Sequence, residues 1–227
     1  MTAAIIQVRL NSKRLPGKAL LKIHKKSILE NIIIRLKKSK FIKKIVVSTS
    51  NKKSDLPIVD FCKKNKILFY NGSLNDVFDR VKKTSIKFKL KYFIRICADS
   101  PLIDPKLIDT GISKFLNGKF DIVTNKFPRS FPIGQTVEVV SVGALNMIDQ
   151  QILKKSQKEH ITRYFYDNYE NFKIHNFAFS KNKSHISMAI DNKRDLTFLR
   201  LLNKRNNDKI NNLTLRQLIN NYEKKNF

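Results

Sequence analysis

A cationic segment follows a short apolar run near the N-terminus. Residues 9–18 read RLNSKRLPGK, directly after AAIIQV, and contain Arg9, Lys13, Arg14 and Lys18. Like charges held this close repel one another, so the pattern favours an anionic partner. The Pro-Gly pair permits a tight turn whose backbone N–H groups face inward, which suits a polyphosphate. The spacing fits neither a Walker A loop nor a GxGxxG motif, and a solvated basic loop remains the alternative.

Two aspartates end apolar runs elsewhere in the chain. Asp99 lies in RICADSPLIDP (95–105), and Asp191 ends HISMAID (185–191). Mg²⁺ takes one or two protein carboxylates together with phosphate oxygens, so the pair could complete a metal site beside the basic segment. Asp99 could instead be an ion-pair partner of the loop, and Asp191 could be a helix N-cap.

The elements that must position these residues alternate between short β-rich runs and amphipathic helical patterns. Strands are predicted over 3–9, 44–50, 67–72, 91–99 and 120–125, and helices over 27–40, 56–65, 75–88 and 105–118. Ser27 with Glu30 predicts a capping box, and Asn75 is the predicted cap of the third helix. This alternation predicts an α/β fold with a parallel, doubly wound sheet, whose ligands bind at the carboxyl ends of the strands. The basic segment then lies in the first strand-to-helix crossover, where phosphates bind in such sheets.

The rhythm changes after residue 126. Extended structure is predicted over 135–145, 172–179 and 185–190, and helices over 156–169, 193–205 and 215–225. No linker or repeat divides the chain. We therefore expect a single domain over 1–227, with an insertion or flap on the acceptor side at about 127–185.

The composition limits the class of protein. The 227 residues are 41% hydrophobic and carry 46 Lys plus Arg against 18 Asp plus Glu, a net charge of +28. Lys pairs spread along the whole chain favour compositional drift over a dedicated polyanion groove, although a basic nucleic-acid-binding module remains an alternative. Two cysteines are too few for a disulfide framework, and neither a signal segment nor a membrane span is recognisable. We expect a cytoplasmic protein with no specific nucleic-acid partner.

Several segments, taken in order, resemble the spore-coat polysaccharide protein F group of the cytidylyltransferases. They are IIQVRLNSKRLPGKALL, ILENIIIRLKKSKFIKKIVVSTS, FYNGSLNDVFDR, RICADSPLIDP, DIVTN, FPIGQTVEVVS, KEHITRYFYDN and AIDNKRDL. The resemblance implies a Rossmann-like three-layer αβα sandwich of the nucleotide-diphospho-sugar transferase type. It also implies a Mg²⁺-dependent reaction in which CTP and a sugar or sugar acid give a CMP-sugar and pyrophosphate, for surface polysaccharide synthesis. A nucleotidyltransferase of the same fold using another nucleotide or a polyol-phosphate acceptor is the alternative, and a homodimer is one oligomeric state to test.

The resemblance also implies roles for individual residues. The triphosphate would contact Arg9, Ser12, Arg14 and Lys18, with Arg14, Lys18 and Asp99 as the catalytic set. Asp99 and Asp191 fall on the two metal aspartates. The nucleoside would be bordered by Thr49, Ser50, Ser73 and Asp76.

The acceptor would lie near four further residues, Gln135, Glu138, Glu159 and His160. Period-two alternation around Glu138 leaves open an outward-facing acid on a half-buried strand. His160 could be a general base, or a helical histidine with a surface hydrogen bond.

Overall fold

The structure is a computed structural model and describes residues 2–224. The strands are β1 (Ala3–Gln7), β2 (Lys22–Ile23), β3 (Lys26–Ser27), β4 (Lys44–Ser50), β5 (Leu68–Gly72), β6 (Tyr92–Cys97), β7 (Ile122–Thr124), β8 (Glu138–Ser141) and β9 (Ile174–Asn176). The helices are α1 (Ile28–Leu36), α2 (Leu56–Lys64), α3 (Val77–Lys87), α4 (Pro105–Leu116), α5 (Val142–Met147), α6 (Lys155–Glu159), α7 (Arg163–Asp167), α8 (Lys193–Arg205) and α9 (Leu215–Glu223).

The central sheet has the order β5-β4-β1-β6-β8-β7-β9. β5, β4, β1 and β6 are mutually parallel, which confirms the predicted α/β fold with a mostly parallel sheet. β8 runs antiparallel between β6 and β7. The chain returns from β7 through residues 125–137 without a crossover helix, and such a connection brings it back in the opposite direction. β2 and β3 form a separate short antiparallel pair.

Helices cover both faces of the sheet because β1 is apolar at every buried position. Ala3 to Ile6 are fully buried. Ala4 and Ile6 pack into the layer that contains α1, whereas Ala3 and Ile5 pack against the layer that contains α3. Burial on both faces is typical of a central strand in a parallel sheet, and it gives the predicted three-layer arrangement.

The capping box at the start of α1 is confirmed. The backbone N–H of Glu30 donates to Ser27 Oγ at 3.1 Å, and the N–H of Ser27 donates back to the Glu30 carboxylate. The predicted cap Asn75 is wrong: Asp76 caps α3 by accepting the backbone N–H of Asp79 at 2.8 Å. The helix therefore begins one residue later than the pattern indicated.

Three predicted elements after residue 126 differ from the structure. Extended structure over 135–145 ends at Ser141, whose side chain caps α5. The helix predicted over 156–169 is two helices, α6 and α7, because the backbone of His160 is extended. Segment 185–190 forms only an isolated bridge between Ile133 and Ser187.

Other boundaries shift less. Of the extended stretch 172–179, only β9 is a regular strand, and residue 225 of the last predicted helix lies outside the described residues. The stretch 127–185 contributes β8 and β9 to the central sheet, so any flap would be the part of this stretch outside those strands. In residues 2–224 no helix has the length and hydropathy needed to cross a bilayer.

Candidate active site

A groove of about 610 Å³ opens at the carboxyl ends of β1 and β6. The order of strands reverses here, since the chain proceeds from β1 to β4 and β5 on one side and places β6 on the other. Such switch points are where open α/β sheets bind ligands. The groove is lined by Gln7, Val8, Arg9, Asn11, Ser12, Lys13, Arg14, Lys18, Cys97, Ala98, Asp99, Glu159, His160 and Asp191.

The basic loop after β1 is held in place by its own backbone and by one apolar anchor. The N–H of Gly17 donates to the carbonyl of Leu10 at 3.0 Å, and Gly17 adopts φ +68°, which favours glycine. Leu15 is buried in the core, while Ser12 Oγ accepts the N–H of Leu15 at 3.3 Å. Ser12 thus braces the turn, and the anchor leaves the neighbouring Arg14 exposed to solvent.

Asp55 attaches this loop to the neighbouring crossover. Its carboxylate accepts the N–H of Leu10 at 2.7 Å and a hydrogen bond from Ser50 Oγ. Asp55 is fully buried. The structure therefore gives Ser50 a role in positioning the loop, because it fixes the carboxylate that holds Leu10.

Asp99 and Asp191 converge on one ammonium group. Lys18 Nζ lies 3.9 Å from Asp99 Oδ2 and 3.6 Å from Asp191 Oδ1, and Arg14 Nη2 lies 3.0 Å from the same Asp191 oxygen. Residues far apart in the chain, from the ends of three separate segments, thus form one charged cluster. We refer to Asp99 and Asp191 as the acidic pair.

The backbone of Ile190 explains why the two aspartates meet. Its N–H donates to the carbonyl of Asp99 at 2.8 Å, and its carbonyl accepts Lys18 Nζ at 2.7 Å. Asp191 does not cap α8: Asn192 does so by accepting the N–H of Asp195 at 3.1 Å. The N-cap alternative for Asp191 is therefore wrong, and its carboxylate faces the loop.

The carboxylate oxygens of Asp99 and Asp191 are suitable ligands for an octahedral cation such as Mg²⁺. The carboxylates of Asp99 and Asp191 both lie within 4 Å of Lys18 Nζ, and two is a number of protein carboxylates that Mg²⁺ takes when nucleotide phosphates and waters complete its shell. Among residues 2–224 no group of three or more His, Cys, Asp or Glu side chains could hold a metal. A divalent cation here would thus take its remaining ligands from phosphate oxygens and waters.

Of the four residues expected near the nucleoside, none lines the groove. Thr49 and Ser50 are buried at the end of β4. Ser73 Oγ accepts the N–H of Asp76 at 3.0 Å, and the Asp76 carboxylate caps α3. Direct contact of these four residues with a nucleoside stays a prediction.

The acceptor-side residues divide into two pairs. Glu159 and His160 line the groove, and Glu159 Oε1 pairs with Arg9 Nη2 at 2.9 Å. Burial lowers the pKa of the His160 imidazole, so this side chain is neutral near pH 7 and able to accept a proton. Gln135 is fully buried, with its amide bonded to the backbone of Leu102 and Asp104.

Glu138 is fully buried, so the outward-facing acid left open by the strand pattern is wrong. Its carboxylate pairs with Arg95 and accepts a hydrogen bond from the Tyr166 hydroxyl at 2.6 Å. Burial alone would raise the pKa of Glu138, but the attraction of Arg95, together with Lys126 and the hydrogen bond from Tyr166, lowers it to about 2. Glu138 is therefore ionised at physiological pH.

A smaller recess of about 180 Å³ adjoins the groove on this side. It shares Cys97, Asp99 and Asp191 with the groove and is otherwise lined by Arg95, Ile96, Ser100, Ile103, Lys126, Arg129, Ile133, Gly134, Thr136, Glu138 and Ala189. Sequence reasoning missed Arg95, Lys126 and Arg129. For Arg95 the only signal in the sequence was its charge, since it lies inside the apolar run YFIRIC.

A switch-point groove with a basic loop on one rim and an acidic pair on the other defines a nucleotide-binding α/β protein. A cytidylyltransferase family model matches residues 3–224, and the chain belongs to that family. It is therefore a nucleotidyltransferase whose nucleotide substrate is CTP.

This chain is also similar to individual known proteins. The chain is 32% identical to the spore coat polysaccharide biosynthesis protein SpsF of Bacillus subtilis over 165 residues, 70% of this chain and 68% of that protein. It is 27% identical to a 3-deoxy-manno-octulosonate cytidylyltransferase of Geotalea daltonii over 110 residues, 48% of this chain and 43% of that protein. A solved cytidylyltransferase from Leptospira borgpetersenii serovar Hardjo-bovis superposes with a TM-score of 0.81 at 29% identity, covering 94% of this chain and 98% of that one.

Proposed function

We propose that this cytidylyltransferase joins CMP to a hydroxyl group of a sugar acid and releases pyrophosphate, as a step in surface polysaccharide synthesis. The observation that carries the proposal is the convergence of Lys18 and Arg14 with Asp99 and Asp191 at one end of the groove. Fixed cations and metal-binding carboxylates are both needed where a nucleoside triphosphate is cleaved between its α and β phosphorus atoms.

In the proposed reaction the acceptor oxygen bonds to the α-phosphorus of CTP and the bond from that phosphorus to the bridging oxygen breaks. The electron pair of that bond leaves with pyrophosphate, and the proton of the acceptor hydroxyl passes to a base. Arg9, Arg14 and Lys18 would stabilise the charge that develops on the leaving group. His160, which lines the groove, would be the base that takes the proton.

Mg²⁺ would be held by Asp99 and Asp191 together with phosphate oxygens. When bound, it supplies Lewis-acid charge stabilisation and orients the phosphates. Lys18 and Arg14, which pair with these carboxylates, are within reach of phosphates bound at the same point.

The acidic acceptor is supported by the charges of the smaller recess. Arg129 Nη1 donates to Thr136 Oγ1 at 3.1 Å, and no carboxylate among residues 2–224 lies within 4 Å of its guanidinium. A half-buried guanidinium with no carboxylate within 4 Å favours an anionic group on the ligand. Glu138 and Gln135 would act as positioning residues, since Glu138 holds Arg95 in the recess and Gln135 binds the backbone of Leu102 and Asp104.

The test is a pyrophosphate-release assay with CTP and a panel of neutral sugars and 2-keto sugar acids, with a control lacking acceptor. Release that requires both Mg²⁺ and an acidic sugar is the expected result, and turnover of neutral sugars alone would refute the sugar-acid assignment. The same panel with UTP, ATP and GTP checks the nucleotide.

Asp99→Asn tests the metal assignment. Asn keeps the shape of the side chain and removes the charge, so we expect a folded protein that loses Mg²⁺-dependent turnover. Asp60→Asn, at an exposed position on α2, is the matched control. Wild-type Mg²⁺-dependent turnover in Asp99→Asn would show that Asp99 is not a metal ligand.

A further inference from the structure

A second recess, of about 140 Å³, adjoins the groove beside the end of β1 and shares no lining residue with the 180 Å³ recess that contains Arg129. It is lined by Gln7, Val8, Arg9, Val77, Arg80, Glu159 and His160. All of these except Val77 and Arg80 also line the groove. A nucleotide whose phosphates lie on the basic loop can therefore extend its base into this recess.

Two of the residues that line the recess each carry a buried N–H donor without a hydrogen-bond partner. Gln7 Nε2 and Arg80 Nε are both inaccessible to solvent and make no hydrogen bond among residues 2–224. Arg80 itself is only 2% exposed. Among the described residues only four buried side-chain N or O atoms lack a hydrogen-bond partner, and two of the four are on residues that line this recess. Leaving a buried donor unpaired is costly, so such a pair indicates a ligand that supplies acceptors.

The orientation of the Gln7 amide follows from its neighbour. Arg95 Nε donates to Gln7 Oε1 at 2.9 Å, and Arg95 is itself fixed by the buried carboxylate of Glu138. Arginine can only donate, so the amide must turn its oxygen toward Arg95. The NH₂ group of Gln7 is then left on the other side as a donor.

A hydrogen bond also fixes the guanidinium of Arg80. Its Nη1 donates to the backbone carbonyl of Ser73, which anchors the guanidinium to the turn after β5. The side chain lies on α3 next to Val77, whose apolar surface forms the wall of the recess. The recess thus combines an apolar wall with two fixed donors.

We propose that Gln7 and Arg80 read the acceptor edge of the cytosine base, with Gln7 Nε2 donating to N3 and Arg80 Nε donating to O2. This inference rests on the proposed function, because it presupposes a nucleotide in the groove. Cytosine presents N3 and O2 as adjacent acceptors. Uracil carries a hydrogen on N3, which would face the NH₂ group of Gln7 donor to donor. Gln7 is therefore the residue that discriminates CTP from UTP.

Gln7→Glu tests this assignment because it changes a single feature. A Glu oxygen still accepts the hydrogen bond from Arg95, while the group facing the recess becomes an acceptor instead of a donor. Dissociation constants for CTP and UTP are measured by titration calorimetry with Mg²⁺ and without acceptor. Gln7→Leu is the second variant, and Gln151→Glu, at an exposed position, is the control for the added charge.

We expect the wild type to bind CTP at least tenfold more tightly than UTP, and Gln7→Glu to lower that ratio at least tenfold. Gln7→Leu should also lower it, since it removes the donor, while Gln151→Glu should leave it unchanged. The ratio cancels any general effect on triphosphate binding. A Gln7→Glu ratio within twofold of the wild type would overturn the proposal, as would equal wild-type affinity for the two nucleotides. Failure of the wild type to bind either nucleotide would instead refute the proposed function.

Discussion

Replacing Glu138 with Gln is expected to destabilise the protein strongly, because it leaves Arg95 buried without a counter-charge. Arg95 and Glu138 are paired at the join between β6 and β8, with side chains 10% and 0% exposed. Both Glu138 oxygens accept, one from Arg95 and the other from Tyr166. Gln offers a single acceptor oxygen and turns its NH₂ group toward a second donor.

Two independent routes give the magnitude. Removing one partner of a buried ion pair typically costs about 3–5 kcal/mol. The lowered pKa of Glu138, about 2 against its usual 4.5, corresponds to about 3 kcal/mol of stability. For a chain of this length such a loss lowers the melting temperature by about 6–12 °C.

The sign of the pH dependence follows from the direction of the shift. A carboxyl group whose pKa is lower in the folded state stabilises the protein above the unfolded pKa near 4.5, and that contribution is lost as the pH falls from about 4.5 toward 2. The wild type should therefore lose stability in this range, and Glu138→Gln should lose less.

Urea denaturation between pH 3 and 7 measures both effects, with an unchanged m-value as the criterion for a common unfolded state. Glu223→Gln is the control, since Glu223 pairs with Lys183 where both side chains are partly exposed and should cost at most about 1 kcal/mol. A loss in Glu138→Gln no larger than in this control, or an unaltered pH profile, would show that the buried pair does not stabilise the fold.

Two further predictions concern the elements that position the site. Ser27→Ala removes the capping box of α1 and should cost about 1 kcal/mol, measurable as a fall of about 2–4 °C in melting temperature; no change would mean that the box is not formed in solution. Gly134→Ala should lower the melting temperature more than Gly17→Ala. Both glycines have positive φ, but a Cβ on Gly134 would lie 2.8 Å from the backbone nitrogen of Ala189, whereas a Cβ on Gly17 would meet nothing within 4 Å. Equal losses would contradict the close packing of Gly134 against the segment that leads to Asp191.

The parallel half of the sheet could be predicted because its determinants are local. The buried strand before Arg9, the capping box at Ser27 and the apolar run that ends at Asp99 are each readable within ten residues. The fold places such strand ends along one edge, which is why Asp99 and the basic loop are found together. The meeting of Asp191 with Asp99 depends on the hydrogen bonds of Ile190, and no local pattern contains them.

The rest could not be predicted because it depends on contacts distant in sequence. The alternation around Glu138 is the same whether the acid faces water or a buried guanidinium, and only the pairing of β8 with β6 brings Arg95 opposite it. Gln7 reads as one more residue of a buried strand. Its unpaired amine is evident only once Arg95 is seen to occupy the other end of the same amide.

Lys18 cannot give full-strength contacts to two aspartates, the carbonyl of Ile190 and a phosphate at once. A ligand that binds the Lys18 ammonium therefore competes with contacts that Lys18 already makes within the protein. In the proposed site, a phosphate that drew the ammonium away would uncover negative charge for a divalent ion, and that ion, by reciprocity, would free the ammonium for the phosphate. Under the proposed function, cation and nucleotide would each bind weakly alone and tightly together, because each removes a contact that competes with the other.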